Sequence, residues 1–288
     1  MEKSQLKKIL NNIKDIPTLP QVFVKLTELV NDPRSSAKDL GRVVSIDQSQ
    51  TARLLKLVNS SFYGFPRKVA SVTEAIALIG FNAVKNLCLS ISIFDLFADS
   101  NGASGFNREK FWQHSIGCAV GGKVLAKYIG YPEKEELFIA GLLHDIGKLL
   151  LDQFFHDIFQ QITTLVRERD MLMLEAEREV LGLTHAQVGQ MLAERWKLPF
   201  KLVDPIAYHH QPRKSRRFVK EIAVVHLADI LCRAIDLGWG GDNRIPEVDK
   251  ESWKTLNLKL SALEPIMREM EREFAEAAAI ISNYQLRN

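Results

Sequence analysis

Leu137-Phe138-Ile139-Ala140-Gly141-Leu142-Leu143-His144-Asp145-Ile146-Gly147-Lys148-Leu149-Leu150-Leu151-Asp152 is the stretch that organises the rest of the chain. Projected as a helix at about 100° per residue, Gly141, His144, Asp145, Lys148 and Asp152 share one sector of about 100°. Every other position except Gly147 is aliphatic or aromatic. A helix that is apolar around most of its circumference is buried on most sides, so its polar stripe lines a cleft. Buried charges and imidazoles need partners, either hydrogen-bonded neighbours or a metal.

Working outward, strand-like alternation is almost absent and helical periodicity recurs between caps and breakers, so the fold class is all-α. In the first half, Ile16-Pro17-Thr18-Leu19-Pro20 opens a helix that runs through Val30 and stops before Asn31-Asp32-Pro33. Ser36 to Asp39 carries a capping signal for a helix to about Ile46. Further helices span Gln48 to Val58, which ends in the turn Asn59 to Gly64, then Thr73 to Ile79, broken by Gly80, and Val84 to Phe97. Ala98 to Asn107, rich in Ser, Asn and Gly, reads as a linker, giving two domains, 1–105 and 106–288.

In the second half, the helix carrying Phe111 to Gly122 has Gly117, Cys118, Ala119, Gly121 and Gly122. These small side chains predict close approach of a neighbouring backbone, with the His144 helix as the partner. Thr184 and Gln187 predict a capping box for a helix from His185 to Lys197. That places His185 in a first turn, where the helix dipole disfavours imidazolium and keeps the ring able to ligate. A helix ending in Tyr208-His209-His210 precedes Gln211-Pro212 and the basic run Arg213, Lys214, Arg216 and Arg217. The apolar helix from Lys220 to Ile235 has His226, Asp229 and Arg233 as its polar stripe, and an amphipathic helix follows from about Ser261.

Composition sets the outer bounds. A formal net charge of +3 over 288 residues is too small to argue for nucleic acid or an anionic membrane as partner. No run reaches the roughly 18 apolar residues of a membrane span, and the N-terminus lacks a signal-peptide core. Cys88, Cys118 and Cys232 are far apart and read as small buried hydrophobes. The expected location is cytoplasmic.

Six histidines (all but His156) fall near apolar helices or their ends, with Asp145 and Asp229 similarly placed. Imidazole with carboxylate is a donor set for Zn, Fe, Mn or Ni. Singly, each residue also has a structural reading: His114 as a core histidine, Asp229 paired with Arg233 one turn on, His209-His210 as a favourable helix end.

Together, His144-Asp145-Ile146-Gly147-Lys148 with His114 before it and Asp229 after it resembles the HD superfamily of metal-dependent phosphohydrolases. In that superfamily the matching residues, here His114, His144, Asp145 and Asp229, hold one metal. Thr184 to Gly189 and His209-His210 resemble the additional ligands of the HD-GYP branch, which holds two or three metals and hydrolyses cyclic di-GMP. Ile16 to Pro20, Val30 to Pro33, Leu57 to Tyr63, Ala75 to Gly80 and Glu194 to Pro199 resemble the HDOD family of bacterial regulatory modules. The chain departs from the HD-GYP pattern after its paired histidines, where Gln211-Pro212-Arg213-Lys214-Ser215 stands in place of a Gly-Tyr-Pro loop. Lys110 stands where some relatives place an acidic ligand.

The resemblance implies an N-terminal helical bundle packed on a C-terminal HD-like domain. It implies one or two divalent transition-metal ions (Fe, Mn, Ni or Zn) on His114, His144, Asp145, His185, His209, His210 and Asp229. Two functions follow: a signalling module that binds metal, with weak or no turnover, or an active phosphodiesterase acting on a (cyclic) nucleotide. In the second, Asp145 and Lys148 are the catalytic residues. Lys148 would offset phosphoryl charge or protonate a leaving oxygen, and its alternative is a salt bridge to Asp145 or Asp152. The expected partners are a nucleotide or phosphate ligand and a signalling protein met by the first-half helices or the Asn59 to Phe65 turn. The basic run Arg213 to Arg217 reads first as a solvated loop, with reception of phosphates next to His210 as its alternative. DNA is not expected, because the helix pair around Gly80 offers only Lys85 as a cation on its second helix.

Overall fold

A computed structural model describes residue 19 and residues 21–59, 63–97 and 106–285. The expected helix start at residues 16–18 and 20, the turn residues 60–62 and the linker residues 98–105 lie outside the described residues. Among the described residues the chain is all helix and connection, with no strand. It divides into two compact units, at Asp99–Ser100 and again at Glu271–Arg272.

The first unit contains α1 (Gln21–Asn31), α2 (Ala37–Val44), α3 (Gln48–Val58), α4 (Val72–Ile79) and α5 (Phe81–Leu96). Its core is aliphatic, with Leu26, Leu40, Val44, Leu54, Val58, Val72, Ile76 and Val84 all buried. Local chemistry sets the boundaries. Ser36 and Asp39 form a reciprocal capping box at the start of α2, as the sequence predicts. Gly80 takes φ 86°, a conformation open to glycine, and separates α4 from α5. The Asn59 side chain donates to Leu55 O and Val69 O and accepts from Val69 N, tying the end of α3 to the strand-free segment before α4.

The second unit contains α6 (Arg108–Tyr128), α7 (Lys134–Leu143), α8 (Ile146–Phe154), α9 (His156–Arg169), α10 (Met173–Val180), α11 (His185–Arg195), α12 (Phe200–Tyr208), α13 (Val219–Ala234) and α14 (Lys250–Leu256). A long helix, α15 (Leu263–Gln285), closes the chain. Close packing of α6, α7 and α13 forms the centre. The glycines permit it: a Cβ at Gly141 would sit 2.4 Å from Cys118 O, and one at Gly122 would sit 2.5 Å from Leu137 O.

The expected continuous helix through residues 137–152 is corrected in one respect. It turns at His144–Asp145, where Asp145 adopts φ −101° and ψ 11°, and resumes as α8. Local periodicity carries straight through the turn, so tertiary contacts decide it. The redirected α8 lies against α11 so tightly that a Cβ on Gly147 would meet His185 O at 2.0 Å. No helix among the described residues is long and apolar enough to cross a membrane.

Candidate metal centre

Five elements meet inside the second unit. His114 comes from α6, His144 and Asp145 from the α7–α8 turn, His185 from the first position of α11, His209 and His210 from the end of α12, and Asp229 from α13. The donor atoms form two groups, each with all its atoms within 4.8 Å of one another: His114, Cys118, His144 and Asp229, then Asp145, His185, His209 and His210. All are buried except His210, which is half-buried.

Asp145 joins the groups. Its Oδ2 lies 3.3 Å from His144 Nε2 and 3.7 Å from His114 Nε2, while its Oδ1 lies 3.0 Å from His185 Nε2 and 3.6 Å from His209 Nε2. Asp229 Oδ1 is 3.2 Å from His114 Nε2 and accepts from Arg233 Nε at 2.8 Å. Arg233 also donates to Asp242 at 2.9 Å.

The outer ring nitrogens fix the tautomers. His144 Nδ1 donates to Gly141 O at 2.6 Å, and His209 Nδ1 donates to Ile206 O at 3.0 Å. His185 Nδ1 donates to the fully buried Glu177 carboxylate at 2.8 Å. Each ring therefore turns its Nε2 inward, the arrangement by which an imidazole presents a lone pair to a metal. His144 Nε2, Asp145 Oδ1 and His209 Nε2 are buried with no hydrogen bond of proper geometry, although charged neighbours are close. Leaving such atoms unsatisfied costs about 1–3 kcal/mol each, and with one such atom in the first group and two in the second, both groups are candidates for holding a cation.

Charge counting points the same way. Asp145, Asp229 and Asp242 are buried beside Lys148 and Arg233, and Glu177 is buried against His185, so with every imidazole neutral the formal excess is two negative charges. A divalent ion would balance it. Without one, protons fill the role. Burial opposes charge on His144, but Asp145 and the Cys118 sulfur outweigh it and push its pKa up to about 9. His114 is likewise pushed up to about 9 against burial, by the Cys118 sulfur and Asp229. Burial lowers His209 to about 4 and, with His209 and His185 beside it, holds His210 well below the imidazole range. Burial also works against the carboxylate of Asp145, yet His144 and Lys148 keep its pKa well below the usual range.

Against burial, Glu177 and Asp145 raise His185 as well, a correction to the neutral ring expected from its place at a helix start. The sign of the pH dependence follows. A metal must compete with protons for His144, His114 and His185. Affinity therefore rises with pH through neutrality, by up to about tenfold per pH unit for each proton displaced. Calorimetry in buffers of different ionisation enthalpy should register net proton release at pH 7; zero release would contradict this assignment of protons.

Lys148 is fully buried and donates to Asp145 Oδ2 at 2.5 Å and to Gly240 O at 2.6 Å. Asp152, on the same face, pairs instead with Arg108 at 2.5 Å. His226 stays outside both groups: its Nδ1 donates to His209 O at 2.6 Å and its Nε2 accepts from Asp249 N at 2.9 Å. It anchors the His209–His210 corner. In the basic run, Arg213 pairs with Asp249 and Arg217 with Asp204. A cleft of about 630 Å³ between α9 and residues 239–243 is lined by none of the donor residues.

Sequence reading missed Glu177, the Gly238–Asp242 loop and the place of Cys118. The loop closes on α6, with Trp239 N donating to Lys110 O at 2.9 Å, and a Cβ on Gly238 would meet His114 N at 2.2 Å. Glu177→Gln tests its own part. The amide keeps an acceptor for His185 but loses the charge that strengthens the ring as a ligand, so metal affinity should fall about 10–100-fold. Competition with a chromophoric chelator measures this, and unchanged affinity would make Glu177 a mere packing partner.

The family pattern of the HDOD domain matches residues 16–212. The chain belongs to the HDOD domain family. Asp229, Arg233 and the Gly238–Asp242 loop lie beyond the matched residues, so their place rests on geometry. An HDOD domain protein of unknown function from Geobacter sulfurreducens is 28% identical, with TM-score 0.80, over 96% of this chain and 95% of that one. A Shewanella amazonensis SB2B protein, provisionally assigned as a phosphohydrolase, shares the fold at 24% identity and TM-score 0.74, over 94% of this chain and 97% of that one. An uncharacterised protein of Treponema pallidum (strain Nichols) is 25% identical over 230 residues, 79% of this chain and 44% of that protein. The HDOD chain thus spans less than half the length of that curated relative.

Proposed function

We propose that this HDOD protein is a signalling or regulatory module whose HD-like unit holds divalent metal and turns over phosphodiesters weakly or not at all. The observation that carries this reading is the burial of a complete donor set. His114, His144, Asp145, His185, His209 and Asp229 are each at most 2% exposed. His144, Asp145, His185 and His209, with His114, Asp229 and His210, are the residues that would hold one or two ions. A divalent cation in such a site supplies Lewis acidity and activates water near neutral pH.

The chain's own groups favour holding over turning over. Lys148 is committed to Asp145 and Gly240 O, so it positions the bridging carboxylate and balances its charge. Asp145 has ring nitrogens facing both oxygens. Half-buried His210 is the donor nearest solvent, and a phosphate-bearing small ligand is the partner proposed for that side. A protein partner at the first unit is the other expected contact, tested by pull-down with residues 59–65 substituted.

A second reading, an active metal-dependent phosphohydrolase, is favoured by the completeness of the same donor set. Elemental analysis of protein purified without chelator, combined with turnover of a generic phosphodiester, separates the two. Stoichiometric metal with negligible turnover supports the module. Turnover that disappears in folded His144→Ala protein would replace it with the enzyme.

A further inference from the structure

Cys118 stands one helical turn after His114, so both side chains leave α6 on the same face. The two atoms are 3.6 Å apart, Cys118 Sγ to His114 Nε2, and Sγ belongs to the same group as His144 Nε2 and Asp229. His114 Nε2 thus faces a sulfur at 3.6 Å and carboxylate oxygens of Asp229 and Asp145 at 3.2 and 3.7 Å. One proton on that nitrogen can serve only one of three electron-rich neighbours. His144 Nε2, buried and without a hydrogen-bond partner, is part of the same group. Sulfur and imidazole nitrogen around a tetrahedral cation, with bonds of about 2.3 and 2.1 Å, lie about 3.6 Å apart. The second nearby sulfur is differently placed: Cys232 Sγ lies on the Nδ1 side of His114 and donates to Leu237 O at 3.1 Å.

We propose that the Cys118 thiolate is a metal ligand, which makes the first group a nitrogen, oxygen and sulfur centre and the second group a sulfur-free one. Resting on the metal-binding reading above, this deepens it by naming the class of ion. A thiolate favours zinc or ferrous iron over manganese and magnesium. Loading releases the thiol proton to solvent as the sulfur–metal bond forms, with no change in oxidation state.

The test is cobalt(II) titration of the metal-free full chain, read by absorption. Thiolate-to-cobalt charge transfer should appear in the near ultraviolet with the wild-type chain. It should vanish in Cys118→Ser and Cys118→Ala while the visible cobalt bands remain, and it should survive in Cys232→Ser. The preference for zinc over manganese should also fall at least about tenfold in Cys118→Ser. Cobalt bound without charge transfer, or a band that persists in both Cys118 variants, overturns the ligand assignment and leaves the metal reading intact. Failure of the wild-type chain to bind cobalt or zinc at all overturns both.

Discussion

Asp145→Ala is expected to remove metal binding from both donor groups at once and to destabilise the fold by about 3–5 kcal/mol. The double effect follows from position. One carboxylate oxygen faces His144 and His114, the other faces His185 and His209, and Lys148 rests on the first of them. Truncation leaves the Lys148 ammonium fully buried with Gly240 O as its one remaining acceptor among the described residues. Breaking such a pair from one side costs more than removing both partners. Asp145→Ala combined with Lys148→Met should therefore recover most of the lost stability without recovering metal. Denaturant unfolding with elemental analysis of each variant reads the two effects separately. Stoichiometric metal in Asp145→Ala would mean that the bridging carboxylate is dispensable.

Gly147→Ala should be nearly as damaging, through a single methyl group. Its Cβ would be built 2.0 Å from His185 O and 2.8 Å from Gly189 N, both backbone atoms that cannot swing aside. Helices α8 and α11 must separate by more than 1 Å to reach ordinary contact. Overpacking of this kind costs about 1–3 kcal/mol, and more when backbone must move. Because His185 opens α11, the displacement also carries its ring away from Asp145 and Glu177. A loss of second-group metal with helix content retained is the expected result, measured by metal titration beside circular dichroism. Wild-type stability and affinity in this variant would show that the two helices have room to spare.

The parts of this molecule that were legible in its sequence are those set by local chemistry. The capping boxes at Ser36–Asp39 and Thr184–Gln187 appear where their spacing places them, because each is closed by side chains three residues apart. The small residues of α6 do meet the α7 backbone, at Cys118 and Leu137. The turn at His144–Asp145 was not legible, since an apolar period of helical spacing continues through it. Glu177 was not legible either: it stands between Glu175 and Glu179 on one short helix, and only burial against His185 distinguishes it. Cys118 reads as one more small residue until its neighbours across space are known. The Gly238–Asp242 segment looks like an ordinary flexible connection, yet it lies on Lys110, His114 and Lys148.

That last segment has a bearing on time rather than affinity. The first donor group is buried throughout, with the Gly240 backbone as a roof beside His114 Nε2, whereas the second reaches toward solvent at half-buried His210. Entry to the first group and exit from it must wait for the roof to lift, an opening whose frequency is set by local stability. Chelators added to the folded protein should then strip metal from that group at a rate independent of their concentration, as if governed by a latch rather than by the strength of the grip inside.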